Sequence, residues 1–206
     1  NLASKDSYMI NTSFKVVPDK GDSIKGIVFN YDEKTGSYLI LDYRYVKDAY
    51  RLYVRQFDGK KWGATQGYDV LLEENAWYDF NLHVVNGKKT TTVIVDYKSG
   101  DANYAAVSRT FNLAMPGRSV GYYSTAANGM QFGEITAKDT TYIGAEDTRY
   151  QIKDGAFFRT DKGVQVATKN SLMIDKKINP KDYDIYAFET SFKAVADQKD
   201  SIKGII

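Results

Sequence analysis

Apolar and polar positions alternate with a period of two along most of this chain, in short runs broken by turn-forming residues. That pattern predicts extended strands from end to end and no helix. Strands are expected at 7–17 and 23–30, with Pro18 and Gly21 supplying the turn between them, then at 37–45 after the polar turn 32–36, and at 49–57 after 46–48. Asp58 and Gly59 mark a hairpin toward Lys61 and Trp62, while 77–85 and 90–97 flank Asn86 and Gly87, a pair that suits tight hairpins because both tolerate positive φ. Further strands are expected at 104–112, 118–124 and 130–138, followed by 150–159 and 164–167. In 77–85 the apolar set Tyr78, Phe80, Leu82 and Val84 shares one face; Asp79, Asn81 and His83 take the other, where His83 is expected to meet solvent. In 49–57, Tyr50, Leu52 and Val54 oppose Arg51, Tyr53, Arg55 and Phe57, so that the second face is amphipathic. About a dozen strands with regular turns predict an all-β, two-sheet antiparallel sandwich in which one sheet can present a ligand groove.

The chain also repeats itself. Residues 12–28 read TSFKVVPDKGDSIKGIV and 190–206 read TSFKAVADQKDSIKGII, an ungapped match at an offset of 178 with 12 of 17 positions identical. The register extends backward to pair Tyr8 with Tyr186 and Asn1 with Asn179. A fixed-period self-match of this kind is the signature of a tandem array. The chain is therefore expected to be a slice of one, with residues 1–143 forming most of one module and 148–206 the opening strands of the next. The polar stretch 140–148 would be the seam. Alternatively, residues 148–206 complete the first module by circular permutation or by exchange between chains.

Composition narrows the chemistry. Twenty-eight Lys and Arg against 26 Asp and Glu leave a formal charge of +2, without the one-sided excess of a nucleic-acid or anionic-membrane binder. No run of apolar residues is long enough for a membrane-spanning helix, and nucleic acid and membrane insertion are set aside as partners. Zero cysteines and one histidine leave no thiolate chemistry and make histidine-based catalysis or metal binding an unpromising expectation. The excess is aromatic: 17 Tyr, 10 Phe and 2 Trp, residues that suit pleated sheets.

The stretches KGIVFNYDEKTGSYLILDY, YRLYVRQFDGKKW, NAWYDFNLHVVNGKKTTTVIVD and GRSVGYYSTAANGMQFGEITA, in this order, resemble the concanavalin-A-like lectin/glucanase jelly roll. Within that superfamily they are most similar to laminin-G-like domains and levanase-associated carbohydrate-binding modules, over roughly residues 7–138. The resemblance implies a structural, core place for Trp77 at the head of a hairpin strand, and closing strands at 117–122 and 132–135. It implies no particular ligand, because the superfamily holds lectins, hydrolases, adhesins and receptors.

A retaining glucanase on such a fold needs two carboxylates about 5 Å apart, as alternate residues of one strand supply. Glu73 and Glu74 are adjacent, Asp42, Asp79, Asp96 and Glu134 are isolated, and no G-x-S-x-G, P-loop or G-x-G-x-x-G occurs. The chain is read as non-catalytic. Nor does it hold the spaced D-x-D-x-D of a calcium loop, so no metal and no cofactor is expected. Sugar-binding surfaces combine flat rings with planar groups that take hydroxyls in pairs. One stretch offers that set: Asp42, Tyr43, Arg44 and Tyr45 on one strand, Arg51, Tyr53 and Arg55 on the next, and Trp62 beyond the hairpin. The bland alternative puts the tyrosines in the core and the arginines on a solvated sheet.

The expectation is thus a non-catalytic extracellular adhesin or carbohydrate-binding repeat, secreted or attached to a Gram-positive cell wall. Its expected partners are a glycan or host or matrix glycoprotein, and neighbouring copies of the module; tandem copies would supply avidity. A structural stalk or fibre joined by strand exchange, or an accessory domain of a glycoside hydrolase, stays open beside it.

Overall fold

The computed structural model describes residues 7–19, 21, 23–63, 66–100, 105–126, 131–139, 141–142, 149–154, 157–160, 163–166, 172–177 and 187. They form sixteen strands and no helix. In chain order these are β1 (Ser7–Lys15), β2 (Lys25–Tyr31), β3 (Tyr38–Val46), β4 (Ala49–Phe57), β5 (Gln66–Leu72), β6 (Trp77–Asn86), β7 (Thr91–Ser99) and β8 (Ala105–Phe111). Then come β9 (Ser119–Ser124), β10 (Gln131–Phe132), β11 (Thr136–Asp139), β12 (Thr141–Tyr142), β13 (Tyr150–Asp154), β14 (Phe157–Thr160), β15 (Gly163–Val166) and β16 (Leu172–Asp175). One sheet runs β10–β1–β6–β7–β8, with β11 also on β1; the other runs β5–β4–β3–β2–β9, and every pairing is antiparallel. The chain is an all-β sandwich of two antiparallel sheets.

The core lies between them and follows from the alternation. Tyr8, Ile10 and Phe14 of β1, with Tyr78, Phe80, Leu82 and Val84 of β6, meet Ile27, Phe29, Leu39, Leu41, Tyr43, Leu52 and Val54 of the second sheet. Phe14 stacks on Phe80 at 4.4 Å and on Tyr43 at 5.1 Å between ring centroids. On the open flank, Arg109 Nη1 of β8 donates to the Val54 carbonyl of β4 at 2.7 Å, tying one sheet to the other.

The crossing from β1 to β2 is built on Asp19. Its carboxylate takes the buried Lys25 ammonium at 2.8 Å, the Ser23 hydroxyl at 2.6 Å and the Gly21 amide at 2.9 Å. These donors hold Asp19 down to about 2. Each of these side chains recurs in the second copy, as Asp197, Ser201 and Lys203, although residues 190–206 lie outside the described residues. Tyr8 of β1 sits opposite Asp139 of β11, so the sandwich is entered and left at adjacent rungs.

Several local expectations change. The β6–β7 hairpin is where Asn86 and Gly87 predict it, but Asn86 stays in the ladder opposite Thr91 and Gly87 N donates to Thr90 O at 2.8 Å, giving a four-residue loop. The two-residue hairpin is instead Lys47–Asp48, with φ of 51° and 59°, between the paired Val46 and Ala49. The expected strand 130–138 breaks into β10 and β11 around Gly133, and β5 was not anticipated at all. Trp77 is not a core residue: Tyr78 takes the inward position and leaves Trp77 outward and 43% exposed. His83 keeps the outward face but not the solvent; it is fully buried, with Nε2 3.3 Å from Asp96.

Strands also pair across the expected seam, since Thr141 and Tyr142 of β12 lie opposite Arg159 and Phe158 of β14. β14 pairs further with β15, and β13 with β16.

Candidate functional site

The eight candidate residues lie on β3, β4 and the hairpin beyond, and strict alternation divides them. Tyr43 and Tyr45 point into the sandwich, with Tyr50 beside them. The Tyr43 hydroxyl accepts from Val17 N at 3.0 Å and donates to Lys15 O at 3.2 Å, while the Tyr50 hydroxyl accepts from Asp19 N at 2.7 Å. Tyr43 and Tyr45 are corrected accordingly: they belong to the interior, and Tyr43 pins the β1–β2 crossing there.

The other six share the outer face. Reading across the β3–β4 ladder, Tyr38 is opposite Phe57, Ile40 opposite Arg55, Asp42 opposite Tyr53 and Arg44 opposite Arg51. Trp62 returns beside Phe57 through an isolated bridge. The return is made by the Asp58 carboxylate, which accepts from Lys60 N and Lys61 N at 2.8 Å each, and by Gly59 at a φ of 96°.

This face has two ends. At one, Tyr38, Phe57, Trp62 and Tyr123 form an aromatic cluster over Val28 and Ile40, with Trp62 edge-on to Tyr38 at 5.8 Å and tilted on Phe57 at 5.1 Å. Burial pushes Tyr38 up to about 12. At the other end stand Arg44 and Arg51, both half-buried. Between them Arg55 bridges: its guanidinium lies 4.4 Å from the centre of the Trp62 ring and donates through Nε and Nη2 to the Asp42 carboxylate. Asp42 is 0% exposed and Arg55 3%. Neither is therefore placed to take a sugar hydroxyl. They form the floor on which the Trp62 ring is held, an indirect role the sequence reading did not separate from contact. Tyr53, Arg44 and Arg51 are half-buried and Trp62 partly exposed, which leaves these four as the reachable members.

Burial pushes Asp42 up to about 7 against the pull of Arg55. In the unfolded chain the same carboxyl titrates near 3.8. Between these values the folded chain binds a proton that the unfolded chain releases, so the contribution of this group is complete below the unfolded value and is lost as pH rises toward 7. Comparing urea midpoints at about pH 4 and about pH 8, the Asp42→Asn variant is expected to lose less stability over that interval than the parent. An equal or greater loss would show that the carboxyl does not titrate there.

No family profile and no curated protein sequence matches the chain. Among solved structures, it is similar to the marine PL-14 alginate lyase from Aplysia kurodai, at 15% identity and a TM-score of 0.45, over 66% of this chain and 71% of that one. It is similar also to sheep galectin-11, at 10% identity and a TM-score of 0.44, over 66% of this chain and 92% of that one. The Caenorhabditis elegans galectin LEC-6 gives 11% identity and a TM-score of 0.44, over 66% of this chain and 85% of that one.

Proposed function

We propose that the chain is a non-catalytic carbohydrate-binding module that holds a glycan on the outer face of β3 and β4, and that it acts outside the cell as one repeat of a surface adhesin. The observation that supports this is the Trp62 platform. A half-buried indole backed by a buried guanidinium and fixed between Tyr38 and Phe57 is a rigid flat surface of the kind that packs on sugar rings, at little entropic cost on binding. Tyr53 in the middle of the face and Arg44 and Arg51 at its far end add hydroxyl and guanidinium groups.

Catalysis on this face finds no support. β3 and β4 carry a single carboxylate, Asp42, which is fully buried against Arg55, whereas a retaining glycosidase sets two carboxyl groups about 5 Å apart beside its substrate.

The repeat of residues 12–28 at 190–206 supports tandem display, in which weak sites gain avidity from repeated ligands. The same repeat would serve a stalk whose modules are spacers, and glycan binding separates the two. On a glycan array, Tyr53→Ala and Trp62→Ala are expected to lower binding by about tenfold or more, the loss of one good ring contact. Tyr53→Ala should leave the thermal midpoint nearly unchanged. An array on which the parent chain binds nothing would favour the stalk.

A further inference from the structure

We infer that the opposite face of the sandwich carries a second ligand site, a shallow groove for a neutral saccharide that begins at Trp77 and runs along β1 and β6. Trp77 is outward and 43% exposed, and among the described residues it stacks on no other ring. Alternation puts Asp79 and Asn81 on the same side of β6 as Trp77, and the register sets Ser13 and Asn11 of β1 directly opposite them. Glu134 and Thr136 form the far wall. That wall can close on β1 because residue 133 is glycine: its amide donates to Ser13 O at 2.9 Å, and a Cβ there would lie 2.1 Å from Ser13 Oγ. The groove so formed has a volume of about 280 Å³. This is close to the lower bound of roughly 300 Å³ for small-molecule clefts, and suits a short saccharide rather than a long stretch of polymer.

The lining selects the class of ligand. Asn11 Nδ2 donates to Asn81 Oδ1, which fixes both amides and leaves Asn11 Oδ1 as an acceptor and Asn81 Nδ2 as a donor for a ligand. Asp79, which Lys98 approaches to 3.9 Å, and Glu134 are both exposed and add carboxylate acceptors. Such groups take hydroxyl hydrogens, and a hydroxyl on a carboxylate makes a charge-assisted bond. The lining holds two carboxylates and no cation, so a uronate or sulfated unit is repelled where a neutral hydroxylated ring is held. Trp77 and Asp79 are two residues apart on one face, about 7 Å along the strand. A sugar ring packed on the indole therefore has its hydroxyls within reach of the groove. β1 and β6 belong to the other sheet from β3 and β4, so this site stands or falls independently of the one proposed there.

The test is nuclear magnetic resonance of the whole isotope-labelled 206-residue chain, whose two tryptophans give one indole N–H signal each. Trp62→Phe and Trp77→Phe assign the signals. Cello-, manno- and galacto-tetraose serve as neutral probes and tetragalacturonate as the acidic one. At least one neutral probe is expected to shift the Trp77 signal, with the same affinity in the parent and in Tyr53→Ala, while tetragalacturonate leaves it in place. Asp79→Asn and Glu134→Gln should each weaken that binding by about tenfold, the loss of one charge-assisted hydrogen bond. Both side chains are exposed, so the thermal midpoint should not move. A Trp77 signal that no neutral probe shifts would overturn this site, whatever happens at Trp62. A shift that tetragalacturonate matches, or that keeps full affinity in both Asp79→Asn and Glu134→Gln, would overturn the groove as its source. A response at Trp77 with none at Trp62 would support this site and count against the one on β3 and β4.

Discussion

Replacing Arg55 with alanine is expected to cost about 3–5 kcal/mol of folding stability at about pH 8, the usual penalty for stripping one partner from a buried ion pair. The geometry allows little relief. Asp42 is completely covered, and the Arg55 side chain that neutralises it also lies against the Trp62 ring. Its removal leaves an uncompensated carboxylate under a collapsed platform. As pH falls the penalty should shrink, because Asp42, without the guanidinium that pulls its pKa down, takes a proton more readily than in the parent. The double replacement Asp42→Leu with Arg55→Met should recover most of the stability, since paired charges of this kind stabilise no better than apolar residues of similar volume. A loss below about 1 kcal/mol for Arg55→Ala in urea melts would mean that the pair is not buried as described.

A larger effect is expected at Gly26. A Cβ placed there would lie 2.0 Å from the Leu41 carbonyl oxygen and 2.7 Å from Asp42 Cα, both backbone atoms of the neighbouring strand. β3 cannot retreat without giving up its ladder with β2 in the middle of the sheet. Gly26→Ala should therefore destabilise by more than about 4 kcal/mol, beyond the range of ordinary substitutions. Gly121, on the other side of β2, is the control: a Cβ there meets nothing within 4 Å, and Gly121→Ala should fold normally. Gly204 stands at the equivalent point of the repeat, outside the described residues. Soluble, cooperatively unfolding Gly26→Ala protein with a parent-like melt would contradict the close approach of β2 and β3.

The strands were legible because the sandwich buries one face of each, and period-two alternation records that directly. β4 was placed at 49–57, where it occurs. β5 is missed because Gly63 precedes it and Gly67 lies within it, and its buried positions among the described residues, Val70 and Leu72, come at its far end. Alternation also held signals that went unused. Tyr43 and Tyr45 flank Arg44 one residue away on either side, so they could not share its face, and Trp77 precedes the inward Tyr78. Both errors came from reading residues as a cluster or by resemblance when the pleat had already separated them.

What alternation could not give is register. Asp42 lies opposite Tyr53 but pairs with Arg55, two positions along. That diagonal contact depends on the Lys47–Asp48 turn fixing which residues meet. The burial of His83 likewise depends on what lies above the strand rather than on the strand itself.

Because the sandwich is entered at Tyr8 and left at Asp139 on neighbouring antiparallel rungs, tension applied to the flanking chain acts across those rungs and loads them one after another. Such a seam opens like a zip, yielding at low force, whereas strands pulled along their length must break many bonds at once. Were such units joined in series, the string would stretch by peeling them apart in succession, absorbing the load as a shock cord does.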